Sequence, residues 1–177
     1  MRKEIILGGG CFWCLEAVFQ RVKGVVSVQS GYAGGHMEQP DYRSVCAETS
    51  GHAEVVKIEY NSDCIQLNTL LDIFFTIHDP TSLNRQGNDQ GTQYRSVIYY
   101  NVAADKAVID ARINHYQTQF TQPIVTEVRS QQTFWPCEDY HNNYFNHHQQ
   151  QPYCHLVIGE KIDKLKRYFE NDYQGTQ

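Results

Sequence analysis

Long hydrophobic runs are missing from this sequence. The first ten residues, MRKEIILGGG, contain only three consecutive large apolar residues, too few for the hydrophobic core of a signal peptide. No other segment approaches the roughly 20 apolar residues that a membrane-spanning helix needs. We therefore expect a cytoplasmic protein without a membrane anchor.

Clustered positive charge is also missing. The chain has 15 Lys and Arg against 20 Asp and Glu, a formal net charge of −5. Its most cationic stretch, residues 160–172, alternates Lys and Arg with acids, which is typical of a solvated helix face. Because binding to phosphates requires clustered Lys and Arg, we expect no nucleic-acid partner.

Cysteine is too sparse for a disulfide scaffold, with six in 177 residues. In a reducing compartment such cysteines stay thiols unless they serve catalysis or bind a metal. The 41% hydrophobic and 12% aromatic fractions are sufficient for one core. We predict a single domain over residues 1–177, with residues 159–177 as a C-terminal helical tail.

Apolar periodicity predicts mixed strands and helices, and hence an α+β two-layer domain. The predicted strands are 3–9, 24–35, 51–61, 94–101 and 122–130. The predicted helices are 11–22, 64–80, 104–120, 138–148 and 160–171. A long polar loop is expected between the second helix and the fourth strand.

The stretch GGGCFWC, residues 8–14, places Cys11 and Cys14 at the predicted start of a helix. The helix N-terminus favours an anion, so we expect Cys11 to tend towards a thiolate, and the glycines to let a substrate approach the backbone. Three functions remain open for this stretch: a metal knuckle, a redox dithiol, and a nucleophile at Cys11 with an apolar floor from Phe12 and Trp13. The metal site lacks a second ligand pair at zinc spacing, and the Phe-Trp pair is bulky for a dithiol.

Six segments in order resemble the peptide methionine sulfoxide reductase A family, which acts on the S epimer of the sulfoxide. They are GCFWC at 10–14, GYAGG at 31–35, YRSVC at 42–46, GHAEVV at 51–56, HDPTSLNRQGNDQGTQYRS at 78–96 and PYC at 152–154. The resemblance covers residues 5 to about 158. It implies a mixed sheet of ferredoxin-like type and a protein-repair enzyme of oxidative stress. It further implies thioredoxin as the external reductant, without metal, flavin or nucleotide.

The resemblance also implies roles for individual residues. Cys11 matches the nucleophile that attacks the sulfoxide sulfur. Phe12 and Trp13 match the hydrophobic pocket for the methionine methyl group. Asp89 matches the acid that positions the substrate backbone.

Glu54 matches the family's general acid, and Tyr42 and Tyr94 match the two tyrosines that hold the sulfoxide oxygen. The chain has Ser44 where the family more often has Glu. This difference does not affect the assignment of Tyr42, because the tyrosine itself is present. The chemistry asks for these residue types independently, because a sulfoxide becomes electrophilic only when its oxygen is protonated or strongly hydrogen-bonded. Burial is expected to raise the pKa of Glu54 as that role requires.

Attack by Cys11 would leave a sulfenic acid, which a second thiol normally converts into a disulfide. Two candidates stay open for this resolving cysteine. Cys154 matches the family's recycling position and lies in a polar, Gln-rich segment, which favours it slightly. Cys14 is one helical turn from Cys11.

Other polar residues are expected to have ordinary roles. Cys46 matches a family position with no general recycling role, and Cys64 and Cys137 are expected to be structural or incidental thiols. The histidines of the C-terminal third are expected to lie on a solvated polar helix and tail: His141, His147, His148 and His155. His52 and His78 fall in matched motifs and are expected to support the site by hydrogen bonds.

Two rival functions follow from the same residues. One is a thiol–disulfide oxidoreductase that uses Cys11 and Cys14 alone. The other is a zinc-binding interaction module built from the cysteines and the C-terminal histidines. A monomer is expected in each case, and for the reductase no metal site.

Overall fold

A six-stranded mixed sheet forms the centre of the computed structural model, which describes residues 1–130 and 132–175. Its strands are β1 (Arg2–Gly8), β2 (Val25–Ala33), β3 (Ala53–Asn61), β6 (Val97–Tyr100), β7 (Glu127–Ser130) and β8 (Trp135–Pro136). They lie in the order β7-β6-β1-β3-β2-β8, and only the β6–β7 pair is parallel. The separate hairpin β4 (Arg85–Gln86) and β5 (Asp89–Gln90) lies in the predicted polar loop.

Strand β3 shows why the sheet has a buried face for the helices. Val56 and Ile58 are fully buried in the main core, whereas Lys57 and Glu59 are only half-buried on the opposite face. Successive side chains of a strand point to opposite faces, so this alternation lets one row pack under the helices. Glu54 shares the row of Val56 and therefore faces the helices as well.

The helices are α1 (Phe12–Phe19), α2 (Tyr42–Cys46), α3 (Leu67–Ile77), α4 (Ala103–Gln117), α5 (Tyr144–His147) and α6 (Gly159–Tyr168). Buried side chains of α1, α3, α4 and α6 belong to the main core together with residues of the strands. Helix α3 ends at Ile77, where His78 is already extended, and Pro80 disfavours helical backbone in the residue before it. Among the described residues, none of the helices is long and apolar enough to cross a membrane.

The predicted α+β class with a mixed sheet is confirmed. Two local predictions were incomplete. Helix α2 was not expected, and it forms because Asp41 and Ser44 exchange side-chain and backbone hydrogen bonds in a capping box. The predicted helix 138–148 consists of two short turns, Asp139–His141 and α5, separated by Asn143 in a left-handed conformation.

Candidate functional site

Cys11 lies immediately before the first residue of α1, where the chain leaves β1. Gly10 makes that turn with φ +91°, and its N–H donates to the carbonyl of Tyr94 at 3.2 Å. Gly9 has a role in packing, and the approach of a substrate to the glycine backbone stays a prediction. A Cβ at Gly9 would lie 2.8 Å from the His78 ring, so this glycine makes room for packing within the protein.

Glu54 lies beside Cys11 and is fully buried. Its Oε1 accepts the N–H of Phe12 at 3.1 Å, which joins β3 to the first turn of α1. Burial, supported by the negative charge of Asp89, raises the pKa of Glu54 to about 8, although hydrogen bonds from Phe12 and Cys11 oppose the shift. Glu54 is therefore mainly protonated at pH 7 and can donate a proton.

The Cys11 thiol keeps its proton in this conformation. Burial raises the pKa of Cys11 well above its ordinary value, and the negative charges of Glu54 and Cys14 add to the shift. The backbone N–H of Trp13 favours the thiolate but is outweighed. The predicted thiolate is therefore wrong for the resting site, because the cost of burying a charge exceeds the effect of the helix N-terminus.

Tyr42 and Tyr94 lie close enough to Glu54 for its charge to affect the pKa of both phenols. Tyr42 is the first residue of α2, and Tyr94 ends the 3₁₀ turn Thr92–Tyr94. Burial raises the pKa of both phenols, and the charge of Glu54 contributes to both shifts. Both phenols therefore stay protonated, so each can donate a hydrogen bond.

Phe12 and Trp13 belong to an aromatic cluster. Phe12 is fully buried, and its ring centroid lies 5.7 Å from that of Tyr32. Trp13 is half-buried and stacks on Tyr144 at 3.7 Å between ring centroids. Of the two, Trp13 has surface left to meet a ligand.

His141 is a part of this cluster that the sequence did not indicate. Its Nδ1 accepts the indole N–H of Trp13 at 3.3 Å, and its ring lies 4.6 Å from Tyr42 and 5.2 Å from Phe12. The side chain is buried, and its Nε2 has no hydrogen-bond partner within the described residues. The prediction of a solvated His141 is wrong. His147, His148 and His155 are exposed as expected.

Asp89 connects to the cysteines through Tyr153. The Tyr153 hydroxyl donates to Asp89 Oδ2 at 2.8 Å and lies 3.6 Å from the Cys14 sulfur. A cavity of about 570 Å³ opens at this point, and its lining includes Cys11, Cys14, Asp89, Tyr153 and Lys161. The thiols are thus reached from the side of Asp89, whereas Glu54 and the two phenols lie outside the lining of this cavity.

Cys154 begins the π-helical turn Cys154–Ile158 and is fully buried. Its thiol donates to Gln151 Oε1 at 3.4 Å. Burial raises the pKa of Cys154, and the charge of Cys14 adds to the shift. Because Cys14 also raises the pKa of Cys11, Cys14 is an electrostatic neighbour of both other thiols.

The remaining candidates lie apart from these contacts. His78 Nδ1 donates to the Phe74 carbonyl, and its Nε2 is hydrogen-bonded to the Ser96 hydroxyl. His52 bonds within the segment of Gly35 and Met37. Neither bonds to the predicted site residues. No cluster of three or more His, Cys, Asp or Glu fits a metal ion in residues 1–130 and 132–175.

Comparison with known proteins agrees with the motifs. A family model described as peptide methionine sulfoxide reductase matches residues 3–173. The chain is 52% identical to peptide methionine sulfoxide reductase MsrA of Chromobacterium violaceum, over 96% of this chain and 97% of that protein.

Solved structures give the same relationship. Mxr1 of Saccharomyces cerevisiae in reduced form superimposes with a TM-score of 0.80 at 34% identity, covering 86% of this chain and 89% of that one. Mxr1 has also been solved in complex with Trx2, with a TM-score of 0.57 at 26% identity, covering 81% and 84%.

Proposed function

Because the chain belongs to the peptide methionine sulfoxide reductase family, we propose that it reduces methionine S-sulfoxide, free or in proteins, with Cys11 as the nucleophile. The single observation that supports this most strongly is the buried pair of Cys11 and Glu54. The carboxyl has a pKa of about 8 and contacts the residue that follows the thiol. A carboxylic acid that is protonated at neutral pH is what a sulfoxide oxygen needs as a proton donor.

The first step joins sulfur to sulfur. As Cys11 Sγ attacks the sulfoxide sulfur, Glu54 protonates the sulfoxide oxygen, and the phenols of Tyr42 and Tyr94 donate hydrogen bonds to it. The thiol proton of Cys11 replaces the one that Glu54 gave away. The new sulfur–sulfur bond and the sulfur–oxygen bond of the substrate then break as the protonated oxygen moves to the Cys11 sulfur. Thiol and sulfoxide thus become a Cys11 sulfenic acid and methionine, and the Cys11 sulfur is oxidised by two electrons as the substrate sulfur is reduced.

We propose that the aromatic cluster contributes to selection between the two epimers. Trp13 offers an apolar face for the methyl group, and Phe12 supports the cluster from behind. The oxygen is directed towards Glu54 and the two phenols, and the sulfur towards Cys11. A site that fixes the oxygen, the methyl group and the direction of attack accepts only one configuration at the sulfoxide sulfur. In this family the accepted epimer is the S form.

Asp89 is proposed to receive the backbone N–H or amine of the substrate. Its carboxylate accepts the Tyr153 hydroxyl at 2.8 Å. The substrate therefore replaces Tyr153 at Asp89 as it enters from the 570 Å³ cavity.

The sulfenic acid is resolved by Cys154 or by Cys14, giving a disulfide and water. Thioredoxin then reduces that disulfide, as the complex of Mxr1 with Trx2 suggests by homology. Cys154 is the matched recycling position, and Cys14 lies within the first turn after Cys11, its N–H donating to the Cys11 carbonyl at 3.1 Å.

The two resolving routes predict opposite results for single variants. If Cys154 resolves, Cys154→Ser still forms one methionine per enzyme without reductant, but its thioredoxin-supported turnover falls at least about tenfold, since no disulfide forms for thioredoxin to open. Cys14→Ser then keeps most of its turnover. Full turnover in Cys154→Ser together with a loss in Cys14→Ser would assign the role to Cys14. Mass spectrometry of the disulfide after one turnover provides an independent reading.

Several broader properties form part of the proposal. We propose a monomeric, cytoplasmic enzyme that needs no metal or organic cofactor and binds neither nucleic acid nor membrane. We also propose that the fold is a two-layer sandwich of ferredoxin-like type. We likewise propose a single domain over residues 1–177, with a C-terminal helical tail from residue 159; residues 176 and 177 of the predicted tail lie outside the described residues.

The separated methionine sulfoxide epimers, incubated with the purified protein and dithiothreitol, test the proposal. We expect methionine from the S epimer and none above background from the R epimer. Methionine from neither epimer would contradict the proposal. Insulin reduction would then support the thiol–disulfide oxidoreductase, and stoichiometric zinc with loss of fold on chelation would support the zinc module.

A further inference from the structure

The two short turns that carry the phenols both begin at a carboxylate from a distant part of the sequence. The N–H of Tyr42, the first residue of α2, donates to Glu138 Oε2 at 3.0 Å. The N–H of Thr92, the first residue of the turn that ends at Tyr94, donates to Glu48 Oε1 at 2.7 Å. The free N–H groups at the start of a helical turn need a hydrogen-bond acceptor. Here the accepting carboxylate holds the first residue of each turn in place and so orients the turn.

We propose that Glu138 and Glu48 are positioning residues for the reaction, which set the places of the Tyr42 and Tyr94 phenols around the sulfoxide oxygen. The proposal rests on the function proposed above for these two tyrosines. Neither carboxylate was singled out by the sequence motifs, and each acts through a tyrosine without contact with the substrate.

Glu138 joins three elements. Besides the Tyr42 N–H, it accepts the hydroxyl of Tyr32 at 2.9 Å and that of Tyr140 at 3.2 Å. Tyr32 is fully buried in β2, so the carboxylate ties α2 to the sheet. Partial burial opposes the ionised form, but the donated bonds of Tyr42 and Tyr32 outweigh it and hold the pKa of Glu138 below its ordinary value. Glu138 is therefore charged across the neutral range, and the tie persists there.

Glu48 lies two residues beyond the end of α2 and links this helix to the turn of Tyr94. Its backbone has φ +59°, in the left-handed region that favours glycine. A glutamate accepts this conformation at a cost in free energy, and its side chain makes the 2.7 Å bond to Thr92 that a glycine would lack. Non-glycine residues in strained conformations concentrate at functional sites, which agrees with a positioning role.

The Glu48→Gly variant separates positioning from stability, because it removes the carboxylate while relieving the backbone. We expect a melting temperature no lower than that of the wild type, together with a fall of about tenfold in kcat and little change in KM. The effect falls on kcat because the phenols hold the oxygen most strongly as its charge develops. Gln39→Gly is the matched control, since Gln39 has φ +49° and an exposed side chain. It should keep wild-type kcat.

Double variants show whether each carboxylate acts through its tyrosine. Glu138→Ala is expected to lower kcat about tenfold in the wild-type background but less than twofold in Tyr42→Phe, and Glu48→Gly should behave in the same way with Tyr94→Phe. Glu138→Gln, which keeps one acceptor oxygen, should lose less than Glu138→Ala, and Asp139→Ala should lose nothing. If Glu138→Ala does not fold, the Glu48 pair decides.

The outcomes also distinguish the two proposals. A wild-type protein that forms no methionine would reject the proposed function before any variant is compared. An active wild type whose Glu48→Gly variant keeps full kcat would overturn the positioning proposal alone. The positioning proposal would also be overturned if Glu138→Ala still lowered kcat about tenfold in Tyr42→Phe, and Glu48→Gly in Tyr94→Phe. Such a result would mean that the carboxylates act independently of the phenols.

Discussion

Cys11→Ser is expected to form no methionine from the S epimer above the level of buffer, a loss of at least about 10⁴-fold. The variant loses both the nucleophile and the reductant, because the Cys11 sulfur supplies the two electrons that reduce the sulfoxide. A serine oxygen cannot take up the sulfoxide oxygen in this way. The measurement is a single turnover without reductant, in which methionine is quantified against enzyme.

A matched control is available for this variant. Cys64 is exposed and lies outside the aromatic cluster and the cavity, so Cys64→Ser should form methionine at the wild-type rate. Appreciable methionine from Cys11→Ser would move the nucleophile to another thiol. Cys14, which lines the same cavity, would be the first to test.

Glu54→Gln is expected to lower kcat/KM by about 10²- to 10³-fold, because it removes the proton donor and keeps the shape of the side chain. The pKa of Glu54 is raised to about 8, so wild-type activity should fall as the pH rises through that value. The variant should lose this alkaline limb. A variant with near wild-type kcat/KM, or one that keeps the limb, would contradict the assignment of Glu54 as the general acid.

The same substitution has an expected effect on stability that serves as a control for folding. A carboxyl whose pKa is raised on folding contributes its stability fully below its unfolded pKa, near 4.5, and loses it as the pH rises through its folded pKa, about 8 for Glu54 and about 7 for Glu16. The contribution of these two groups to the wild-type free energy of unfolding should therefore fall between pH 5 and pH 9, by about 4 kcal/mol for Glu54 and about 3 kcal/mol for Glu16. Glu54→Gln should be less sensitive to pH and no less stable than the wild type at pH 9.

Glu16→Gln is the comparison variant for that experiment. Glu16 is buried in α1, and its Oε2 accepts the hydroxyl of Ser30 at 3.2 Å. Burial raises its pKa to about 7. We expect a similar loss of pH sensitivity in stability with a far smaller loss of kcat/KM, because Glu16 lies away from the sulfoxide oxygen.

The sequence predicted most reliably those features that depend on residues close together in the chain. The alternation of Val56 and Ile58 with Lys57 and Glu59 predicted β3 and its two faces, because a strand exposes its pattern at every second residue. The glycines before Cys11 predicted the thiol at the start of a helix. The six ordered segments predicted the family and, through it, the residues to examine. Helix α2 was not predicted because it is only five residues long and depends on the hydrogen bonds of two side chains, Asp41 and Ser44.

The raised pKa of Glu54 was expected from the sequence, but the protonation state of Cys11 was decided by the tertiary structure. Helix position alone predicted a thiolate at Cys11, but packing buried the thiol beside Glu54 and raised the pKa of both groups. The cost of burying charge depends on every element that covers the site, and a short motif does not contain those elements. The same reason explains why burial of His141 was not expected from a polar stretch of sequence.

The sequence by itself therefore determined the family, the α+β class, the nucleophile to test and the acid beside it, because these depend on residue types at fixed spacings. Only the tertiary structure decided that Cys11 holds its proton, that Trp13 rests on Tyr144 and His141, and that Glu138 and Glu48 hold the turns of the two phenols. Glu138 and Tyr42 are separated by 96 residues, and Glu48 and Thr92 by 44. Contacts at such separations exist only once the sheet has brought its strands and loops together.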